Sequence, residues 1–494
     1  MNHVRNLLLM VAACLLSTVT ANAAGHSPAR GIASSTALHG MAALKNKRYA
    51  AALADFKPLA AAGNAEAEAQ LARLYEHAEG VPRDYQVAVS LYKMSADQGN
   101  AMAENGLGVL YESGEGLPRN VRMAHVLYAE AAAQGDVKAK YNLARLYIDG
   151  IGVPQDCEKG MPLLRESARQ GYALAEYMLG KGYDYGICIE QNSVAAVKWY
   201  GRAAAQPGTE GGTEAANNLA VMYNYGEGIP KNAGRAMALY RQAAEGGNVT
   251  AQVNLGKSYE FGDGAKRDYA KALKWYRLAA KSGDDQAQNN LGIMYENGLG
   301  VAKSAIEAAK FYVAAATQGN KEAQANLGLM YLPGGGLPRD DKQAFTWCTR
   351  AAGQGNPTGY NCLAMIYMFG YGVHKDVGRA ANLYAFSASH GNSSAMLNLA
   401  ACFMNGTGVS KDPVAALALS QLAFAAHDSE EDTAKSYSEA ITAHLSTDQL
   451  GDVTRLYTDM LKTNVVQALA SYRALRAKEA AIGQSTDSHD RGSP

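Results

Sequence analysis

Residues 287–300 read AQNNLGIMYENGLG, and their pattern identifies the building block of the whole chain. Small and apolar side chains recur in it at spacings of three and four residues, which places them on one face of a helix. Gly298 and Gly300 follow Tyr295 by three and five residues. Glycine at such positions adopts the left-handed conformation that ends a helix. The stretch therefore predicts one helix, here called helix A, that is closed by a tight turn.

The aromatic residue of helix A recurs along the chain with a fixed period. Its copies are 36 residues apart, except that the step from Tyr183 to Tyr223 is four residues longer. The four extra residues fall within the turn-rich segment 206–213, so we expect an insertion between helices that leaves their stacking intact. The ten positions are Tyr75, Tyr111, Tyr147, Tyr183, Tyr223, Tyr259, Tyr295, Tyr331, Tyr367 and Phe403.

A second helix, here called helix B, is predicted in every repeat. Nine residues after each aromatic stands an Asp, Asn or Ser, which are residues that cap helix N-termini. Trp275-Tyr276 and then Ala279-Ala280 follow in one copy, and the small pair lets helices approach closely. One such hairpin cannot bury its own aromatics, so neighbouring hairpins must stack. The pattern predicts an all-α solenoid of about ten repeats of 36 residues.

The consensus Ala-x3-Leu-Gly-x2-Tyr-x2-Gly-x-Gly, with a later Trp-Tyr-x2-Ala-Ala, resembles the Sel-1-like repeat family, relatives of the tetratricopeptide repeats. The resemblance covers about residues 64–426. It implies a right-handed solenoid and a role as an adaptor in protein complexes, in bacteria often at the cell envelope or in signalling and host contact. The chain departs locally from the consensus at Ala78 and Cys188 in glycine positions, Gly359 at the first Ala, and Cys348 at the helix B tyrosine.

The segments that flank the repeats are predicted to cap them. Residues 37–63 predict an N-terminal hairpin, which follows a linker at 24–36. Residues 427–482 lose the glycine pair but keep a helical period, so two or three helices are expected to close the other end. The polar residues 483–494 predict a disordered tail.

The segment 1–23 predicts a cleaved signal peptide. Arg5 precedes an apolar run at 7–19, and Ala-Asn-Ala at 21–23 has the small residues of a cleavage site. An uncleaved anchor is the first alternative, although the run is short for a bilayer. A lipoprotein signal at Cys14 is the second, although apolar residues follow that cysteine. We expect a periplasmic or secreted protein.

Charge and composition argue against several classes of partner. Forty-six Lys and Arg balance forty-six Asp and Glu, so the chain has no overall basic character for nucleic acid. No segment after the predicted signal peptide approaches the length of a membrane span. The ten histidines lack the spacing of metal ligands, so neither a metal nor another cofactor is expected. A protein or peptide partner fits the fold better, and the oligomeric state is not predicted.

Two short motifs resemble parts of enzyme active sites. Ser90 and Lys93 match the Ser-x-x-Lys of penicillin-recognising enzymes, and some cysteine-rich members of the resembled family have been described as β-lactamases. The companion motifs are missing, and Ser90 is in register with Val126. Gly-Lys-Ser at 256–258 resembles the end of a phosphate-binding loop, but Ala251 replaces its required glycine. We expect no catalysis; the rival hypothesis is an envelope enzyme acting on a cell-wall or β-lactam substrate.

Five cysteines follow the predicted cleavage site, and an exported protein keeps disulfides. Cys157 starts helix B of one repeat and Cys188 replaces a turn glycine of the next, so this pair is a candidate bridge. Cys348 and Cys362 are placed at one height on antiparallel helices and form a second candidate. Cys402 then remains, and its place beside Phe403 predicts a buried thiol.

An asparagine recurs five residues before the helix A aromatic. Its amide both donates and accepts hydrogen bonds, which suits the backbone of an extended peptide lying on the concave face. The resemblance implies the same, because the matching asparagine of tetratricopeptide domains grips bound peptides. The alternative is that these side chains bridge neighbouring repeats or merely follow the family consensus. The asparagine row comprises Asn142, Asn218, Asn254, Asn290, Asn326 and Asn398.

A basic residue recurs just before the helix B cap. A positive charge beside a helix N-terminus opposes the helix dipole, which hints at a second binding surface. The alternative is a solvated edge that follows the consensus. This basic edge comprises Arg83, Arg119, Lys231, Arg267, Lys303, Arg339, Lys375 and Lys411.

Overall fold

The computed structural model describes residues 28–427 and 430–487. All 25 regular elements within these ranges are α-helices, as the repeat pattern predicted. The predicted signal peptide at 1–23 lies outside the described residues. The chain divides into two compact units, unit 1 up to Lys231 and unit 2 from Asn232.

Unit 1 contains a first hairpin, four complete repeats and helix A of the fifth. From α3 onward, odd-numbered helices are helices A and even-numbered helices are helices B. The helices are α1 (Pro28–Lys45), α2 (Tyr49–Ala61), α3 (Ala65–His77), α4 (Tyr85–Ala96), α5 (Ala101–Ser113), α6 (Val121–Ala133), α7 (Val137–Asp149), α8 (Cys157–Arg169), α9 (Ala173–Tyr185), α10 (Ser193–Ala204) and α11 (Glu210–Tyr225).

Unit 2 continues the alternation as far as α22 and ends in three further helices. The helices are α12 (Ala233–Glu245), α13 (Val249–Phe261), α14 (Tyr269–Lys281), α15 (Asp285–Asn297), α16 (Ala305–Thr317), α17 (Lys321–Met330), α18 (Asp341–Gly353), α19 (Pro357–Phe369), α20 (Val377–Ser389), α21 (Ser393–Asn405), α22 (Pro413–Phe424), α23 (Glu431–Thr442), α24 (Thr447–Lys462) and α25 (Val465–Asp487).

Helix B starts where the sequence predicts it in every repeat. The Asp84 carboxylate accepts hydrogen bonds from the backbone N–H groups of Gln86 and Val87 at 3.0 and 3.1 Å. The nine equivalent Asp, Asn and Ser side chains cap their helices in the same way. Each cap satisfies a backbone donor that the helix itself leaves unpaired.

Helix A ends in a left-handed residue that is usually glycine. Gly298 has φ 74°, and its N–H donates to the carbonyl of Met294. The second glycine, Gly300, has another constraint: a Cβ atom there would lie 2.7 Å from Cβ of Tyr269, the first residue of the preceding repeat's helix B. Only glycine fits that approach without displacing a neighbour, which explains why the turn carries two glycines.

Ala78 ends α3 with φ 59°, where most other repeats have glycine. We expect Ala78→Gly to raise the free energy of unfolding by about 1 kcal/mol, because it removes the steric cost of an L-residue in the left-handed region. The matched control is Ala62→Gly, because Ala62 also follows a helix but has φ −85°. Chemical denaturation should show stabilisation by the first substitution and none by the second; equal effects would contradict the strain argument.

The most deeply buried aromatics are the tyrosines of helix B. Tyr276 and Tyr312 are completely buried, whereas most helix A aromatics are half-buried; Tyr259, at 6 % exposed, and Phe403, at 1 %, are the exceptions. Each helix B tyrosine ring lies against a glycine of helix A where one is present, and a Cβ atom at Gly292 would come within 2.5 Å of the Tyr312 ring. Helix B therefore supplies the ring that fills the space between helices.

One position of helix A carries a buried glutamate in three repeats of unit 1 and a glutamine in three repeats of unit 2. The glutamates are Glu68, Glu104 and Glu176, and the glutamines are Gln252, Gln288 and Gln324. Glu68 is completely buried; its Oε2 atom accepts from Gln98 at 2.8 Å, and its Oε1 atom has no hydrogen-bond partner among the described residues. Gln324 accepts from Gln354 and also donates to the carbonyl of Ala316 at 3.1 Å. Both amide atoms of Gln324 are therefore paired, whereas Glu68 leaves one carboxylate oxygen unpaired; at Gln252 the amide donates to the carbonyl of Ala244 and its oxygen has no partner among the described residues.

We expect Glu68→Gln to stabilise the protein at neutral pH by about 1 kcal/mol, the value of one hydrogen bond. Burial raises the pKa of Glu68 above its ordinary 4.5. The stability contributed by neutral Glu68 is thus complete below the unfolded pKa and is lost as the pH rises through the folded pKa. Thermal melts should show a gain at pH 8 that disappears near pH 4. The exposed Glu190→Gln is the control, and an equal gain at both pH values would contradict this reasoning.

The predicted caps are helical. In the first hairpin, Phe56 is completely buried and lies against Gly40. α1 already begins at Pro28, within the predicted linker 24–36, and α25 continues to Asp487, into the predicted tail 483–494. Each residue added to an existing helix gains one backbone hydrogen bond, so a polar composition alone does not end the helix. Residues 488–494 of that tail lie outside the described residues.

None of the described helices combines the length and the apolar composition that a membrane crossing requires.

Candidate functional site

A tyrosine–acid pair connects the two helices of five repeats. The Tyr312 hydroxyl donates to Glu296 Oε2 at 2.6 Å, and Glu296 directly follows the helix A aromatic. Burial raises the pKa of Tyr312 well above its ordinary value, and the charge of Glu296 raises it further. The hydroxyl therefore stays protonated as a donor. The equivalent pairs are Tyr92/Glu76, Tyr128/Glu112, Tyr200/Asp184 and Tyr276/Glu260.

The sequence reasoning missed this pair, although its signal was present. An acid stands directly after the helix A aromatic in these five repeats, and the tyrosine that donates to it always follows at the same sequence separation. In repeat 3, Ile148 takes the place of the acid and Leu164 takes the place of the tyrosine. No repeat has the acid without the tyrosine, because a buried acid without its donor is unfavourable. The reverse does occur, since Tyr240 and Tyr384 have no acid at this position.

Several side chains of the asparagine row bridge neighbouring repeats. Asn142 donates to Asn105 at 2.9 Å, and equivalent bonds join Asn326 to Asn289 at 3.2 Å and Asn398 to Asn361 at 3.0 Å. Each partner lies on helix A of the preceding repeat. These bonds support the bridging alternative for the donors involved.

One member of the row bonds to the helix B tyrosine of the preceding repeat. Asn218 donates to the Tyr200 hydroxyl at 3.2 Å. Asn290 has the same position on α15, and its Nδ2 atom has no hydrogen-bond partner among the described residues. Asn254 has the same position on α13. The asparagine row thus lies at the junctions between repeats, and its members are half-buried.

Both candidate cysteine pairs lie at disulfide distance. The Cα atoms of Cys157 and Cys188 are 5.3 Å apart, and those of Cys348 and Cys362 are 5.8 Å apart. Both distances fall within the range that a disulfide spans. Cys402 is buried and lacks a partner cysteine among the described residues, and burial raises the pKa of its thiol to about 11.

Each cysteine pair replaces a contact that other repeats make without a covalent bond. Cys348 and Cys362 occupy the positions of a helix B tyrosine and the asparagine opposite it. Cys157 and Cys188 occupy the positions where the second turn glycine meets the start of the preceding helix B. The bridges therefore reinforce existing junctions between repeats.

Side chains at the basic-edge position cap the end of helix A. Arg119 Nε donates to the carbonyl of Glu112 at 2.9 Å. Gln155 and Gln191, which occupy the same repeat position, donate to the equivalent carbonyls at 2.8 Å. These groups serve a helix C-terminus, where a positive charge is favourable. The sequence places Arg119 next to the N-terminus of helix B, where its charge is unfavourable. In the structure its side chain instead contacts the C-terminus of helix A, where the charge is favourable.

Other members of the basic edge have local partners. Arg83 and Arg267 lie over the rings of Tyr85 and Tyr269, and Arg339 pairs with Asp341 at 2.7 Å. The remaining members lie beside the first turn glycine of their repeats; these are Lys231, Lys303, Lys375 and Lys411.

The enzyme-like motifs lie on helices. Ser90 and Lys93 are exposed on α4. In α13, a Cβ atom at Gly256 would contact the Tyr276 ring, and the Ser258 hydroxyl donates to the carbonyl of Asn254 at 3.0 Å. Within the described ranges, His, Cys, Asp and Glu form no group able to hold a metal ion.

The helix A face of unit 1 carries a groove of about 900 Å³. Asn105 and Asn142 lie in its wall beside Met102, Tyr141 and Lys138. Its volume falls within the range of ligand-binding pockets, and its lining combines apolar, amide and charged groups. The groove is therefore the candidate binding site of this unit, and Asn142 is the member of the asparagine row that borders it.

The helical repeats and their junctions define a protein of the α-solenoid class. The Sel1 repeat profile matches ten consecutive segments, and the chain belongs to the Sel1 repeat family. The matched residues are 65–100, 101–136, 137–172, 173–207, 213–248, 249–284, 285–320, 321–356, 360–392 and 393–428. Sel1 repeat proteins are typically non-enzymatic scaffolds that bind other proteins.

Two solved structures illustrate the relationship. The first is c5321, a protective antigen present in uropathogenic Escherichia coli strains; it is 30% identical, covers 86% of this chain and 90% of its own, and has a TM-score of 0.66. A Sel1 repeat protein from Oxalobacter formigenes is 31% identical over 49% of this chain and 96% of its own, with a TM-score of 0.43. A comparison of the sequence with curated proteins gives no match.

Proposed function

We propose that this chain is a bacterial envelope scaffold without catalytic activity, which binds a protein or peptide segment in the helix A groove of unit 1. The groove, with its volume of about 900 Å³, is the observation that carries the proposal. Its amide groups can form hydrogen bonds with the backbone of an extended peptide, and its apolar surface can contact the side chains of that peptide.

Within the asparagine row, the proposal assigns peptide contact to Asn142. Its Nδ2 atom donates to Asn105, and both amides border the groove. The bond between them orients the two side chains before a partner arrives, which reduces the entropy lost on binding. The other asparagines are proposed to act first as junctions between repeats.

The proposed location is the periplasm or the extracellular medium. Two cysteine pairs at disulfide distance are compatible with an oxidising compartment. A secreted factor that engages host proteins is the alternative of the same fold, and the relative c5321 is described as a protective antigen. Fractionating culture supernatant and periplasm separates the two locations.

Site-specific photo-cross-linking in the native organism tests the groove. A benzophenone side chain is introduced at Lys138, which is exposed in the groove, and in a second variant at Ser90, which is exposed on α4. We expect a discrete cross-linked protein from position 138 and not from position 90. Adding Asn142→Ala to the first variant should reduce its yield while helicity measured by circular dichroism is retained.

Two outcomes would contradict the proposal. Identical products from positions 138 and 90 would mean that capture is unspecific. The lack of any product from position 138, with the chain folded and exported, would mean that the groove is unoccupied in the organism.

A further inference from the structure

Repeats 3 and 4 lack side chains that fill the core elsewhere. Leu164 stands where seven repeats have the helix B tyrosine. Gly182 stands directly before the helix A aromatic, where the other repeats have a side chain, mostly Leu, Met or Ile. Both truncations fall at the same junction, between α7, α8 and α9.

These truncations leave a pocket of about 160 Å³. Its walls include Tyr141 and Tyr177, the methionines Met161 and Met178, and Leu164. At Gly182, a Cβ atom would meet nothing closer than the Ile187 carbonyl at 3.4 Å. With Ile189 Cγ2 at 3.6 Å as the next atom, a Cβ atom there would make only ordinary van der Waals contacts.

The size and lining of the pocket select its occupant. An apolar cavity of about 150 Å³ accommodates one benzene ring. Methionine sulfur atoms make favourable contacts with aromatic rings, and two methionines lie in the wall. Arg145, Asp149 and Lys181 also line the pocket. Arg145 is paired with Glu112, whereas Lys181 Nζ lies 5.8 Å from the centroid of the Tyr177 ring, so Lys181 is the cation that suits the electron-rich face of a ring.

The pocket lies beside the groove and shares a wall residue with it. Tyr141 lines both, and its ring makes an edge contact with Tyr172, another groove residue, at a centroid distance of 5.4 Å. A chain lying in the groove at Tyr141 therefore contacts a residue that also lines the pocket.

We propose that this pocket between repeats 3 and 4 receives one aromatic side chain, phenylalanine or tyrosine, of the peptide segment bound in the groove. The inference rests on the proposed function and adds that the pocket selects peptide segments with an aromatic residue. A partner without an aromatic residue at the matching place loses the burial of that ring.

Amide-capped amino acids test the pocket directly in the full chain. N-acetyl-phenylalaninamide is titrated while the methionine methyl groups are followed by NMR. We expect saturable shifts at Met161 and Met178, with binding at least about tenfold tighter than that of N-acetyl-alaninamide, as burial of one ring implies. Equal affinity for N-acetyl-leucinamide would overturn the aromatic assignment, and uniform shifts at all methionines would overturn the site.

A filling variant provides the second test. Gly182→Met introduces the residue that Met222 and Met294 supply in other repeats, and Gly182→Ala is the control that leaves most of the space open. We expect the first to weaken N-acetyl-phenylalaninamide binding more than tenfold and the second to retain it, with both melting cooperatively. Unchanged binding by Gly182→Met would overturn the pocket, whereas cross-linking from position 138 would still decide the proposed function separately.

Discussion

Replacing Tyr312 with alanine is expected to lower the free energy of unfolding of unit 2 by about 3 to 5 kcal/mol, the range for buried aromatics. The ring is completely buried and lies against Gly292. Its loss leaves a cavity that the helix backbones cannot close. Its hydroxyl is also the donor to Glu296, so truncation leaves a partly buried acid without that bond.

Two further variants separate these contributions. Tyr312→Phe keeps the ring and removes the donor, and should cost about 1 to 2 kcal/mol. Phe261→Ala is the matched control, because Phe261 is an aromatic of the same unit that is 60 % exposed. Urea denaturation followed by circular dichroism measures all three, and a loss for Phe261→Ala as large as that for Tyr312→Ala would refute the packing explanation.

Breaking the Cys348–Cys362 bridge should lower the free energy of unfolding nearly as much as Tyr312→Ala does. In the chain-entropy treatment, a disulfide that closes a loop of 14 residues contributes about 3 kcal/mol. We expect the double serine variant to lose about this amount. Cys348→Tyr with Cys362→Asn should recover part of it, because Tyr200 and Asn218 make this contact as a hydrogen bond at the equivalent positions.

The reductant dependence distinguishes the covalent from the noncovalent junction. Dithiothreitol should lower the melting temperature of the wild type but affect the tyrosine–asparagine variant less. The chain from residue 24 has five cysteines, so one thiol should titrate in denaturant without reductant if both bridges are formed. A count of five would show that the pairs are reduced, and equal sensitivity of the two proteins would contradict the role assigned to this bridge.

The candidate site was only partly visible in the sequence. The asparagine row was recognised from its spacing, but spacing could not reveal that Asn142 and Asn326 donate to a neighbouring repeat. The reason is geometric: the partner lies one repeat away along the chain, so the bond depends on how two helices A pack. The same holds for Arg119, whose carbonyl partner became identifiable only when the turn was folded.

The pocket between repeats 3 and 4 illustrates the reverse case. Leu164 and Gly182 are visible in the sequence as departures from the repeat, but a departure can be compensated by a neighbour. Only the structure shows which atoms surround Gly182, and the nearest of them to an added Cβ atom is the carbonyl oxygen of Ile187. A sequence identifies which side chains are small, whereas packing decides whether small side chains leave a cavity.

The helical repeats, their period, their capping residues and the glycine turns follow from the amino-acid sequence, because these depend on contacts within about one repeat. The sequence also indicated both cysteine pairs, since the register of the repeats sets which positions face each other. The folded structure was needed to show which polar groups join neighbouring repeats, which aromatics are most deeply buried and where a groove remains. Those properties depend on the distance between stacked helices, and that distance is set by many side chains together.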